Sequence, residues 1–377
     1  NRKTWREEAE REKAPLDVIL VRALELIAGV KAFDVTGAVE MLQLRREYLL
    51  KQLESMVARV DMLGGKKMKF DEESAVLYGA VAPKLPASHF QGLLDALDPL
   101  LPGKGTVAER YAIFSKQFVI PPAKLNAVFQ AAIREARKRT KQRIKLPELE
   151  AFTVRQVTGK SWTAYNWFQG DAVSIIEVNR DLPQDIGRAL HLACHEGYPG
   201  HHVYNCLIEE WLMRWGRWFE YSVYPLYSPQ SLIAEGTADF GTELAFPSED
   251  RVKFNAAVLF PIAGIPPSKA KVHEQVRLLV ERLEPAGIEA ARGYLDGEMS
   301  KQDAIGWLMR YTLVSNPRAE QRIRFIDENR SYIINYTHGK DLVRNYLAKR
   351  GATTAQPNKL WEEFEKLLAS PRLASGL

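Results

Sequence analysis

The chain has 377 residues, 46% hydrophobic and 26% charged, and its 52 basic and 47 acidic residues leave a net charge of +5. That composition is ordinary for a soluble globular protein, and the basic excess is too small to point to nucleic acid as a partner. One core stops growing near roughly 250–300 residues, so one large domain or two closely packed ones are expected. No apolar stretch reaches the roughly 18–20 residues that span a bilayer. The chain opens at Asn1 with a charged run, residues 1–13, that is not itself a signal peptide. The expectation is a soluble protein, cytoplasmic or exported with its targeting segment outside this chain. The two cysteines, Cys194 and Cys206, would lie about 18 Å apart on a helix, beyond disulfide reach. They are expected as free thiols, which favours a reducing compartment.

In chain order, residues 1–150 read as a helical region. Val39, Leu42, Leu49, Leu53, Met56 and Val60 recur at helical spacing, with a polar Arg46 in the series. Thr106 followed by Glu109 is a capping-box start. Pro121-Pro122 opens a helix that ends in a basic run, 134–145, read as a solvated face without the interleaved aromatics of a nucleic-acid site. The character changes after Pro147. Segments 152–157, 163–168 and 173–178 are rich in β-branched and aromatic residues and predict strands, with a turn at 169–171. Asp181 offers an N-cap and Pro183 a helix start. Helices then continue to the end, broken at 225–229, Pro247, 261–267 and Asn316-Pro317. A boundary near residue 150 is expected, with no flexible linker to mark it and no internal repeat.

Four of the seven histidines, His191, His195, His201 and His202, fall within twelve residues. A metal site is the physical reason for such crowding, because neutral imidazole is the commonest protein ligand for zinc. In H-E-x-x-H sites two histidines share one helix face and the Glu beside the first acts as general base. Here Pro199 stands four after His195, leaving the longer form His195-Glu196-Gly197-Tyr198-Pro199-Gly200-His201-His202. Proline lacks an N–H and clashes with the carbonyl four residues back, and Gly200 permits unusual dihedrals, so the helix should widen or kink after Glu196. That distortion can bring a later histidine back to the metal. His201 is the first choice; His202, about 10 Å along an undistorted helix from His195, is the second, and His191 the third.

A hydrolytic zinc needs three protein ligands. Glu235 and Asp239 form an i, i+4 pair among the apolar Leu232, Ile233, Ala234, Ala238 and Phe240. The pattern suits one ligating carboxylate and a second that orients a ligating histidine through its far ring nitrogen. A structural ion pair is the plainer alternative. H-E-x-x-P-G-H-H followed by Glu235-Gly236-Thr237-Ala238 resembles a large bacterial family long labelled a domain of unknown function and placed among the gluzincin-type zinc peptidases. The resemblance runs from about Ser174 to the C-terminus and more loosely over the helical N-terminal part. Family members usually carry Trp at the position of Thr237, and a Pro-Gly-Gln-Ala before the Tyr-x-x-Gly that Tyr336-Thr337-His338-Gly339 matches; that Pro-Gly-Gln-Ala is absent here.

The resemblance implies a mainly α (α+β), zincin-like fold with a small sheet packed on the metal helices, one Zn2+ and hydrolysis of peptides. On this reading residues 1–150 form a cleft wall, and 151–377 carry strands within 152–179, metal helices within 183–246 and C-terminal helices. His195, His201 and Glu235 hold the metal, Glu196 is the base, Asp239 orients a ligand, and Tyr336 is the candidate oxyanion donor, with His338, Tyr332 and Arg330 as alternatives. Strand 173–178, just before the metal helix, could align an extended peptide. Competing readings are a zinc hydrolase of a non-peptide amide or ester, and a non-catalytic helical binding protein that retains a metal site. A di-iron bundle needs Glu-x-x-His pairs, and neither Glu196 nor Glu235 has one.

Overall fold

A computed structural model of the protein describes residues 14–377; the charged run 1–13 lies outside them. Among the described residues six α-helices come first: α1 (Leu16–Ala32), α2 (Glu40–Leu63), α3 (Phe70–Tyr78), α4 (Ala87–Leu97), α5 (Val107–Lys116) and α6 (Pro122–Lys141). Arg46, the polar break in the apolar series of α2, donates to the Val30 and Lys31 carbonyls at 3.0 and 2.8 Å. It thereby satisfies the open C-terminal end of α1, where a cation is favoured. The capping box at Thr106 forms in both directions, and Pro122 occupies the first turn of α6, where a missing N–H costs nothing. The basic run of α6 is not simply solvated. Arg137 donates to the buried Glu150, and Arg139 to the Ala245 carbonyl and to Asp250.

The sheet has three strands, β1 (Ala151–Val157), β2 (Ala164–Gly170) and β3 (Val173–Asn179), in the order β1-β3-β2. β3 runs parallel to β1 and antiparallel to β2. This corrects the expectation of a free edge on β3: it is the middle strand, and β1 and β2 hold the edges. The turn between β2 and β3 takes positive φ at Gly170, Asp171 and Ala172. The Glu209 carboxylate holds it, accepting from the Asp171 and Ala172 amides at 3.0 Å each. The next helix starts later than Asp181 and Pro183 predict. Asp185 is the N-cap, accepting from the Arg188 amide, while Asp181 is spent on the Gly159 amide.

That helix, α7 (Ile186–Leu192), runs into a π-turn, Ala193–Gly197; α8 (His201–Leu207) comes after it and runs into a second π stretch, Ile208–Trp215. Then come α9 (Pro229–Ala245), α10 (Ser248–Phe254), α11 (Phe260–Ala263), α12 (Ala270–Glu281), α13 (Ala286–Leu295), α14 (Lys301–Tyr311), α15 (Asn316–Asn329), α16 (Ile334–Lys349) and α17 (Pro357–Leu368). Pro261 sits in the first turn of α11 without breaking it; the break falls at Gly264, where φ is +79°. The protein is mainly α with one small sheet. No helix among the described residues is long and apolar enough to cross a membrane.

One core joins the regions before and after residue 150, from Tyr48 and Phe70 through Ile176 and Leu232 to Leu373. A polar tie reinforces it. Glu73 of α3, 1% exposed, accepts from Arg330 Nε at 2.6 Å and from the Ser331 amide and hydroxyl at 3.1 and 2.6 Å. Arg330 holds φ +53° there, with its Nε committed to Glu73. Helices α9 and α16 meet backbone to backbone. A Cβ on Gly236 would stand 2.5 Å from the carbonyl carbon and oxygen of Gly339, and one on Gly339 would stand 2.9 Å from the Leu232 carbonyl oxygen. Only glycine fits at this contact. Gly236→Ala is expected to force the helices apart and cost about 1–3 kcal/mol, as overpacked cores do. Urea denaturation measures it; an unchanged midpoint would contradict the close approach.

Candidate metal centre

The motif helix does more than kink. It ends at Gly197 and restarts at His201. Gly200 carries the interruption with φ −80° and ψ −137°. A Cβ there would fall 1.9 Å from the His195 carbonyl oxygen and 2.4 Å from that of Cys194, so any side chain is excluded. The Gly200 amide donates to Cys194 O at 2.9 Å. The Tyr198–Pro199 peptide bond is cis. Pro199 packs on α9 at Gly241, where a Cβ would stand 3.0 Å from its ring, and Gly197 lies under the Phe152 ring. As first residue of the new helix, His201 turns its ring beside His195, with centroids 4.7 Å apart and planes at 87°.

Three donor atoms converge. Glu235 Oε2 lies 3.1 Å from His195 Nε2 and 3.3 Å from His201 Nε2. Neither approach has hydrogen-bond geometry, and Oε2 is buried without a partner. A tetrahedral zinc with bonds of about 2.0–2.1 Å sets its ligand atoms about 3.3 Å apart. Those separations and the orphaned oxygen fit a cation between the three side chains. The remaining polar atoms of His195 and Glu235 are already engaged. His195 Nδ1 faces Asp239 Oδ1 at 2.8 Å; a carboxylate only accepts, so Nδ1 donates and a neutral ring turns its lone pair inward at Nε2. Glu235 Oε1 accepts from Tyr332 OH at 2.6 Å, which leaves one oxygen of that carboxylate for the centre. Without a cation, burial opposes charge on His195, but the Asp239 and Glu235 carboxylates outweigh it and hold its pKa well above the usual value. Burial raises Glu235, yet the two histidines pull it below the carboxylate range.

Glu196 follows His195 directly and is buried, with Oε2 unpartnered. Burial raises its pKa, against the pull of His195 and His201. Asn166 of β2 donates to its main-chain carbonyl at 2.7 Å and fixes the turn that presents it. Tyr336 of α16 is half-buried, its ring 6.2 Å from that of His195. Burial and then Glu235, Asp239 and Glu196 hold its pKa far up, so the phenol stays neutral and can donate. Tyr332, spent on Glu235, has a holding role. His338 is half-buried, with its pKa lowered by burial.

His202 is not at the centre. It is 0% exposed, with Nδ1 2.8 Å from Ser174 Oγ and Nε2 3.2 Å from Glu150 Oε2. Tyr198 also donates to Glu150. Burial raises the Glu150 pKa, but hydrogen bonds from His202, Tyr198 and Arg137 overcome it and hold the group at about 2. His191 lies aside, its Nε2 3.5 Å from Asp239 Oδ1, and with His195 and Asp239 it forms a second, overlapping donor group. Burial drives the His191 pKa down to about 3, so the ring is neutral. Sequence reasoning missed Glu150, Ser174 and Asn166. They lie well before their motif partners in the chain, on or beside the sheet, and no local pattern joins them.

No protein-family model matches the chain, and no curated protein matches it. Among solved structures, one similar chain is from Colwellia psychrerythraea, provisionally described as a lipoprotein: TM-score 0.57 and 13% identity over 88% of this chain and 61% of that one. A second, described as BsuCP, has TM-score 0.45 and 13% identity over 87% and 70%. The first likeness establishes a shared fold, and this chain spans about three fifths of that protein's length.

Two outcomes test the site. Asp239→Asn is expected to weaken divalent-metal binding about 10- to 100-fold, read by chelator competition, because it unfixes the His195 tautomer. Glu150 has its pKa lowered, so it stabilises the fold above its ordinary value of 4.5, and that stability is lost as pH falls toward about 2. Glu150→Gln should lose about 3–5 kcal/mol at neutral pH and flatten this acid limb. Parallel pH profiles for the two proteins would contradict the assignment.

Proposed function

We propose that the chain is a zinc-dependent hydrolase of peptide bonds. The observation that carries this reading is the convergence of His195 Nε2, His201 Nε2 and the orphaned Glu235 Oε2 beside the buried, unpartnered Glu196. A closed structural zinc site is usually rich in cysteine and has no use for a base beside its ligand. Zinc held there would supply Lewis acidity and an acidified water, with a pKa near about 7. Everything else falls to the side chains.

Glu196 accepts the water's proton at Oε2 and delivers it to the leaving amine. Tyr336 donates a hydrogen bond to the oxygen on which negative charge develops. Asp239 and Tyr332 hold His195 and Glu235 in register. Among the described residues β2 is an edge strand of the sheet, and its Asn166 reaches the motif, so an extended peptide laid along this strand would run beside the centre. The description of the Colwellia protein as a lipoprotein favours export over a cytoplasmic location.

The test is metal content and peptide cleavage on the same preparations of wild type and Glu196→Gln. About one zinc per chain in both, with cleavage lost by at least about 100-fold in the variant, supports the reading. Zinc binding with no cleavage across a broad peptide library removes the peptidase assignment in favour of a non-peptide hydrolase or a binding protein. Absence of bound metal after reconstitution removes the centre itself.

A further inference from the structure

Two arginines near the centre, Arg188 and Arg318, have no ion pair among the described residues. Arg188 lies on α7, seven residues before His195, two turns along the same helix side at about 10 Å of rise. Its field reaches both Glu196 and His191. α15 brings two more arginines to the same place. Arg318 and Arg322 are one turn apart, and Phe325, one further turn on, lies with its ring 6.3 Å from Tyr336. So α7 leads from Arg188 to His195, and α15 leads from Arg318 to the Tyr336 side of the same centre.

Of the three guanidinium groups, only Arg322 has a carboxylate partner, Glu284 at 2.9 and 3.1 Å. Arg318 donates to the neutral amide of Gln321 at 2.7 Å. Arg188 has no ion pair among the described residues; Asp185, its near neighbour, uses an oxygen to cap the Arg188 amide at 2.9 Å. Asp185 and Glu284, and Glu196 toward the centre, are the acids nearby, yet among the described residues neither Arg188 nor Arg318 has a carboxylate at ion-pair distance, and both are partly buried. Burial first, then repulsion from Arg188 and Arg322, pushes the Arg318 pKa down to about 10, and Asp185 and Glu284 only partly offset it. A half-buried cation without a partner is costly, and planar guanidinium groups take carboxylates in bidentate geometry.

We propose that Arg188 and Arg318 form a recognition site for the C-terminal carboxylate of a short peptide, with Arg322 lending charge. This names the substrate class of the centre and rests on the peptidase reading. Three extended residues span about 10 Å, so the carboxylate would sit about three residues from the metal side chains. The peptide's length is then measured from its charged end, and blocked or internal sequences bind weakly.

The test is binding to the Glu196→Gln protein, read by calorimetry, with three probes: N-acetyl-trialanine as the free acid, its C-terminal amide, and an N-acetyl-Ala-Asp-Ala amide. The free acid should bind about 10- to 100-fold more tightly than the amide, the range of a charge-assisted contact. Arg188→Ala and Arg318→Ala should each shrink that preference, while circular dichroism shows the fold intact and Arg318→Lys restores part of it. Equal binding of acid and amide, or an equal loss for both in the variants, overturns the proposal. Tight binding of the Asp-containing amide through the same arginines assigns the site to acidic side chains and overturns the C-terminal assignment. A carboxylate preference that depends on the arginines, in a protein that cleaves no peptide, keeps this site and removes the peptidase reading. The two failures are therefore separable.

Discussion

The centre depends on a steric exclusion at one residue. The carbonyls of Cys194 and His195 crowd Gly200 so closely that no side chain can stand there. A regular helix would carry His201 away from His195, because six residues advance the axis by about 9 Å. By stopping and restarting, the chain brings the two rings within 4.7 Å. The neighbouring contacts serve the same end. Pro199 wedges against Gly241 of α9, and that helix also bears Glu235 and Asp239. One set of glycine contacts thus places the donors of both helices.

Electrostatics does the remaining fixing. Two side chains at the centre have their outward atoms occupied, His195 by Asp239 and Glu235 by Tyr332, and Asn166 holds the Glu196 main-chain carbonyl. What is left over points inward. Behind this layer, Lys340 pairs with Glu243 and Glu281, and its charge also lowers the Asp239 pKa. These groups are costly to bury singly and become tolerable as a connected set.

Much of this is legible in the sequence, for identifiable reasons. The strands, the capping box, the helix start at Pro122 and the donors His195, His201, Glu235 and Asp239 are all written as local patterns with a fixed spacing. The ambiguity between His201 and His202 is not resolvable that way, because it turns on Ser174 and Glu150, which approach from the sheet. Asp181 misleads because two acids, Asp181 and Asp185, stand near the helix start, and only the fold shows that Gly159 takes the first. β3 reads as a substrate edge because strand order is a tertiary property. Arg188, Arg318 and Arg322 draw no notice in the sequence, since scattered arginines are common and only convergence distinguishes these.

The change of composition near residue 150 looks like a seam, but Glu73 crosses it. That carboxylate holds Ser331, the residue before Tyr332, and Tyr332 holds Glu235, one of the three converging donors. The N-terminal helices are therefore anchored to the centre by a short run of hydrogen-bonded side chains. A recombination or truncation at that seam would release the tyrosine that aims a donor, so the two regions have to be inherited, and altered, as one mechanical part.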